Sequence, residues 1–185
     1  SHGMRNWATR AVGELAHRRD EINALNVFPV PDSDTGSNMA HTMEAAVAEL
    51  DNGGDVADSL AFGAVRGARG NSGMVLSQVL RGVAESTVGS VIDGDVFVRS
   101  LKQAVELVDR AIAEPVEGTV ITVLKAASES AEDAAAQSGA TLHSIVSAAI
   151  AAAETALERT PSQLPALREA GAVSYTHLTL PTTPY

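Results

Sequence analysis

The chain has 185 residues, enough for one domain with a sizeable core, and is 45% hydrophobic but only 3% aromatic. Its formal net charge of −10 argues against nucleic acid or an anionic membrane as partner, since both favour a basic surface. The absence of cysteine excludes disulfides and thiolate metal sites. No apolar run reaches the roughly 18 residues of a membrane helix, and the N-terminus has no signal-peptide core, so a soluble cytoplasmic protein is expected. A core built from Ala, Val, Leu and Ile suits close helix–helix packing.

Ser1-His2-Gly3 ahead of Met4 has the character of a tag remnant, which sets residues 1–3 apart from a domain over 4–173. Residues 5–20 read as a first helix, with Trp7, Ala11, Leu15 and Ala16 near one face. A loop follows over 22–39, where Pro29 and Pro31 forbid a regular helix. A second helix starts near Gly36, carries Met39, Met43, Ala46, Val47 and Leu50, and stops at Asp51-Asn52-Gly53-Gly54. Asp55 can cap a third helix to about Val65, and 67–73 reads as a glycine-rich turn.

The fourth helix carries Val75, Val79 and Val83, with Leu76 and Leu80 beside them. Asp93 or Asp95 caps a fifth, and a sixth follows 115–119 to about Gln137 with Ile121, Leu124 and Ala127 inward. Thr141 caps a seventh through Leu157, and Ser162 starts a short eighth ending at Gly171. The apolar residues recur near a period of 3.6 rather than 2, so the fold class is all-α, an eight-helix bundle. From Ser174 the composition turns Thr/Pro-rich, and residues 174–185 read as a non-native tail.

Chemistry concentrates in the first loop. Asp32 and Asp34 stand two positions apart, with Asn26, Thr35, Ser37 and Asn38 adding oxygens and Gly36 allowing a turn. Hard cations such as Mg²⁺ take such ligands. The alternative is that both aspartates are turn and N-cap residues of the second helix. An EF-hand fails, because Gly36 falls at the fifth position and Met43 at the twelfth. Gly67-Ala68-Arg69-Gly70-Asn71-Ser72-Gly73 precedes a helix, where amides, the helix dipole and Arg66 or Arg69 could receive an anion. It lacks the Walker A lysine, and the alternative is a flexible connection between helices. Glu117-Gly118-Thr119 is a weaker signal of the same kind. His17, His41 and His143 lie on separate helices without metal spacing, His2 and His177 lie in the set-apart ends, and no nucleophile elbow is present.

Taken together, these loops resemble a known family. Residues 22–39 resemble the Asn-Ala-Leu-Asn-Val-Phe-Pro-Val-Pro-Asp-Gly-Asp-Thr-Gly-Thr-Asn-Met signature of the DhaL-like domain, the ATP-binding domain of dihydroxyacetone kinases. Gly67–Gly73 and Pro115-Val116-Glu117-Gly118-Thr119 match, in order, the next two motifs of its fatty acid kinase branch. The resemblance spans about 5–173 and implies an eight-helix antiparallel barrel that binds ATP or ADP at one end through two Mg²⁺ ions. By position it implies Asp32 and Asp34 as catalytic metal ligands and Asn26 as a further ligand. Thr35, Gly36, Ser37, Asn38, Gly70, Asn71, Ser72, Gly73, Gly118 and Thr119 are then implied as nucleotide-binding residues. The implied activity is transfer of the γ-phosphate to a fatty acid on a DegV-like carrier protein, or to dihydroxyacetone on a separate subunit. A two-metal phosphatase and a non-catalytic helical interaction domain are the other readings.

Two departures stand out. Ser33 replaces the family's usual glycine, and Ser174-Tyr175 follows Val173 where the family pattern continues Asp-Ala-Gly-Gly. The pocket is therefore expected to be cut short at that end, and nucleotide binding to be weak.

Overall fold

The computed structural model describes residues 2–87, 89, 91–114 and 116–170, so the expected helix end at Gly171 and the tail at 174–185 lie outside the described residues. Among these, eight α-helices follow one another without a strand element: α1 (His2–Ala24), α2 (Thr35–Glu49), α3 (Val56–Gly67), α4 (Gly70–Ser86), α5 (Gly94–Ala111), α6 (Val120–Ala135), α7 (Leu142–Gln163) and α8 (Pro165–Ala170). A short 3₁₀ turn, Leu50–Asn52, ends α2. The all-α reading holds. No described helix is long and apolar enough to cross a membrane.

Small residues set the packing, as the aromatic-poor composition suggested. Gly63 faces Ala46 and Glu49 while Gly67 faces Ala45, which places α3 antiparallel to α2. Gly70 lies against Asn38 and Gly73 against Thr42, so α4 runs parallel to α2, one helix removed. Gly82 sits on Ser100 and Ala104 of α5. The chain's two lysines clasp α5 to α6 in antiparallel register. Lys102 Nζ lies 2.6 Å from Glu132 Oε1. Lys125 Nζ lies 3.1 Å from the buried Oδ1 of Asp109, an ion pair without hydrogen-bond alignment. Pairs this exposed contribute at most about 1 kcal/mol each, so they fix register more than stability.

Four apolar clusters follow. The largest joins α1 to α4 through Leu15, Ile22, Met43, Ala46, Leu60 and Leu80. Val75, Val108 and Ile121 join α4, α5 and α6. Ala131, Ile145 and Ala149 join α6 and α7, with Phe97 and Leu101 of α5 packed beside them. Leu164 and Leu167 reach back to Leu25, Val27 and Phe28 after α1.

Several expectations are corrected. Helix α1 starts at His2 and runs to Ala24 rather than covering 5–20. Its buried face is Ala8, Leu15 and Ile22, spaced by seven, while Ala16 is exposed. Trp7 is 42% exposed and sits at the rim of an apolar cleft of about 420 Å³ with Met4, Leu60, Val83, Ile92 and Phe97. The expected turn at 67–73 is mostly helix. Gly67 ends α3, only Ala68 and Arg69 connect, and Gly70 opens α4.

Helix α7 continues past Leu157 to Gln163 and contains Pro161 and Ser162, so the eighth helix starts at Pro165. Proline at 161 removes the amide that would bond the Leu157 carbonyl. The hydroxyl of buried Thr160 donates to that carbonyl instead, at 2.8 Å, and the helix survives for another turn.

Candidate functional site

Antiparallel neighbours put the N-termini of α2, α4 and α6 at one end of the bundle and those of α3, α5 and α7 at the other. The first amides of any helix have no intrahelical partner. At the α3/α5/α7 end each of these three helices satisfies one or two of them with its own N-cap residue. Asp55 accepts from Ala57 and Asp58 at 2.9 and 3.4 Å. Asp93 accepts from Val96 at 2.8 Å, and Thr141 forms a capping box with Ser144. At the other end the N-cap residues are Asp34, Arg69 and Thr119, and none makes a side-chain capping bond.

The Asp loop is built from α1. Asn26 Oδ1 accepts from the Asp34 amide at 3.2 Å, the Thr35 amide at 3.3 Å and the Thr35 hydroxyl at 2.9 Å. Its Nδ2 donates to the Val30 carbonyl at 3.0 Å. One turn back, Asn23 Oδ1 accepts from the Ser37 amide at 3.1 Å and its Nδ2 donates to Ser37 Oγ at 3.0 Å. Two asparagines thus hold the first turn of α2 in place of Asp34. The carboxylates of Asp32 and Asp34 stay exposed, with no hydrogen bond or ion pair to a described residue. Ser33 between them has φ 57°, the left-handed region where the family's glycine is unstrained. Gly36 is buried, and a Cβ there would meet the Arg19 carbonyl oxygen and Asn23 Oδ1.

The second loop lies directly on this turn. Ser72 Oγ is 3.5 Å from the Thr35 carbonyl oxygen, and the Arg69 amide donates to Thr42 Oγ1 at 3.3 Å. Gly70 has φ 59°, and a Cβ would strike Asn38 Nδ2; one on Gly73 would strike Thr42 Oγ1. Asn71 is exposed and Asn38 and Ser72 are half-buried. Arg69 is exposed at the start of α4.

The third loop joins through apolar contacts. Met74 and Val75 at the start of α4 pack with Val120, Ile121 and Leu124 at the start of α6. Gly118, φ 78°, fits against Gln163 and Leu164, where a Cβ has no room. Thr119 Oγ1 donates to the Val116 carbonyl at 2.7 Å, and the Gly118 amide donates to Thr122 Oγ1 at 3.0 Å.

All three motifs therefore meet at one end. Sequence reasoning missed Asn23 and Thr42. Asn23, in the last turn of α1, stands three residues before Asn26, and Thr42 follows Asn38 by one turn of α2; this spacing was the available signal. Among the described residues no group of three His, Cys, Asp or Glu side chains could hold a metal. A pair of free carboxylates still fits Mg²⁺, which binds through one or two carboxylates while waters and phosphates fill its shell.

An all-helical domain that gathers at one end three helix N-termini without a cap from their own N-cap residue, and two carboxylates without a partner among the described residues, has the parts of an anion-and-cation site. The N-terminus of α2 is held instead by Asn23 and Asn26. The family model described as the DAK2 domain matches residues 29–181, and the chain belongs to that family, within the dihydroxyacetone kinase superfamily. It is 38% identical over 165 residues to Protein YloV of Bacillus subtilis. It is 37% identical over 165 residues to an uncharacterized protein of Staphylococcus saprophyticus, and 38% to one of Staphylococcus epidermidis. Each alignment covers 86% of this chain and 30% of the relative, so the chain spans under a third of the curated relatives it matches.

Proposed function

We propose that this chain is the nucleotide-binding domain of a Mg²⁺-dependent kinase, with ATP or ADP seated on the N-termini of α2, α4 and α6. The observation that carries this reading is the difference in capping between the two ends. Helix N-termini receive phosphate through amides and a favourable dipole. Among α2 to α7, Asp34, Arg69 and Thr119 make no side-chain capping bond, whereas Asp55, Asp93 and Thr141 do. At α2, Asn26 and Asn23 already hold the Thr35 and Ser37 amides, which leaves the starts of α4 and α6 the more open.

Asp32 and Asp34 would hold Mg²⁺, which supplies charge neutralisation and alignment of the phosphate oxygens when bound. Gly70, Asn71, Ser72 and Gly73 would receive phosphate, with Ser37 and Asn38 beside them from α2. Gly118 and Thr119 would line the nucleotide from the third loop. Gly36 and Gly73 serve by being small, since each lets two helices approach. Phosphoryl transfer by positioning needs no protein nucleophile, which agrees with a site free of cysteine and histidine.

The acceptor follows from the motif resemblance. A fatty acid presented by a DegV-like carrier fits the motifs better than dihydroxyacetone on a separate subunit. Calorimetry with ADP and Mg²⁺ tests the site. Weak, Mg²⁺-dependent heat from the native sequence should fall at least about tenfold in affinity in Asp34→Ala, as expected on losing a charge-assisted contact. Equal affinities would reduce Asp34 to a helix-start residue. Phosphate release from ATP with no partner protein would point to a phosphatase.

A further inference from the structure

The hydrogen bonds around Asn26 assign roles that spacing could not. An amide oxygen only accepts and an amide nitrogen only donates. Asn26 Oδ1 faces three donors (the Asp34 amide, the Thr35 amide and the Thr35 hydroxyl), and Nδ2 faces the Val30 carbonyl. The oxygen is therefore spent within the loop, and the nitrogen, which keeps one further hydrogen, has no lone pair to offer a cation. Across the 2.9 Å contact the hydrogen must come from Thr35, because Asn26 Oδ1 has none to give. With its hydrogen committed, Thr35 Oγ1 cannot donate to a phosphate oxygen. It keeps lone pairs, which suit a cation.

Resting on the Mg²⁺ site proposed above, we infer that Thr35 Oγ1 is the third protein oxygen of the cation site, and that Asn26 is a positioning residue that orients it without touching the ion. The same side chain ties the Val30 carbonyl to the Asp34 amide, closing the backbone around Asp32. Residues that hydrogen-bond a metal ligand commonly orient it in this way.

Mn²⁺ used as the probe, with its bound waters counted by water-proton relaxation, tests the assignment without any turnover. At saturating Mn²⁺, Thr35→Val should show one more bound water than the native sequence, and Thr35→Ser should restore the native number. Asn26→Ala should weaken Mn²⁺ binding by about tenfold, the low end for loss of an orienting partner. The Asn26→Ala/Thr35→Val double variant should gain one water, because Asn26 acts through Thr35. An unchanged count in Thr35→Val, or a gain of two in the double variant, overturns the assignment and returns Asn26 to the shell. Failure of the native sequence to bind Mn²⁺ overturns the cation site itself, a distinct result. Melting curves that coincide for Thr35→Val and Thr35→Ser separate loss of the oxygen from loss of the fold.

Discussion

At the end of the bundle where α3, α5 and α7 begin, each helix carries its own cap, and the neighbouring cleft is lined by carbon. At the end where α2, α4 and α6 begin, self-capping is absent, glycines replace side chains at the closest approaches, and two carboxylates stand free. The first arrangement is what stability alone selects, since a cap is worth about 1 kcal/mol. The second forgoes that gain at α4 and α6, while at α2 Asn23 and Asn26 supply it from α1 and the loop after it. Such local departures from what stability favours are expected where a protein binds.

The largest expected break in this comparison is Gly36→Ala. Its methyl group would enter the space of the Arg19 carbonyl and Asn23 Oδ1 and push α2 off α1. Overpacking of this kind costs about 1–3 kcal/mol, to be read from urea unfolding, and nucleotide binding should fall with it. Next come the two ends themselves. Asp93→Ala should cost about 1 kcal/mol and leave ADP affinity unchanged, because it removes one cap at the far end. Asp34→Ala should do the reverse, leaving the unfolding midpoint where it is while weakening Mg·ADP. Equal stability losses from the two variants would remove the distinction between the ends. The smallest effect is a gain. Ser33→Gly relieves a left-handed residue and should stabilise by about 0.5–1 kcal/mol, measured the same way.

Much of this was legible in the sequence. Asp55, Asp93 and Thr141 announce helix starts because a cap is a local device, confined to four residues. The three loops were visible through their glycines and prolines for the same reason. What escaped depended on contacts between distant segments. The role of Asn26 requires knowing that the chain eight residues later returns to it, and that of Thr42 requires the α4 start across 27 residues. The exposure of Trp7 follows from α1 using a face one residue over, a choice made by α2 and α3 rather than by α1. Helix α7 outran its expected end because one hydroxyl, Thr160, substituted for a missing amide bond.

The contact of Leu164 and Leu167 with Leu25, Val27 and Phe28 differs in kind from the rest of the packing. Nearly every other interface joins helices that are neighbours or near-neighbours in the chain, so each can form as soon as its hairpin does. This one closes a loop spanning most of the described chain, at an entropic cost that the shorter closures avoid. The segment that leads into the carboxylate pair should therefore be the part of the fold that forms last and opens first. Amide exchange should find residues 25–28 and 164–167 exchanging together, ahead of the α2–α4 core.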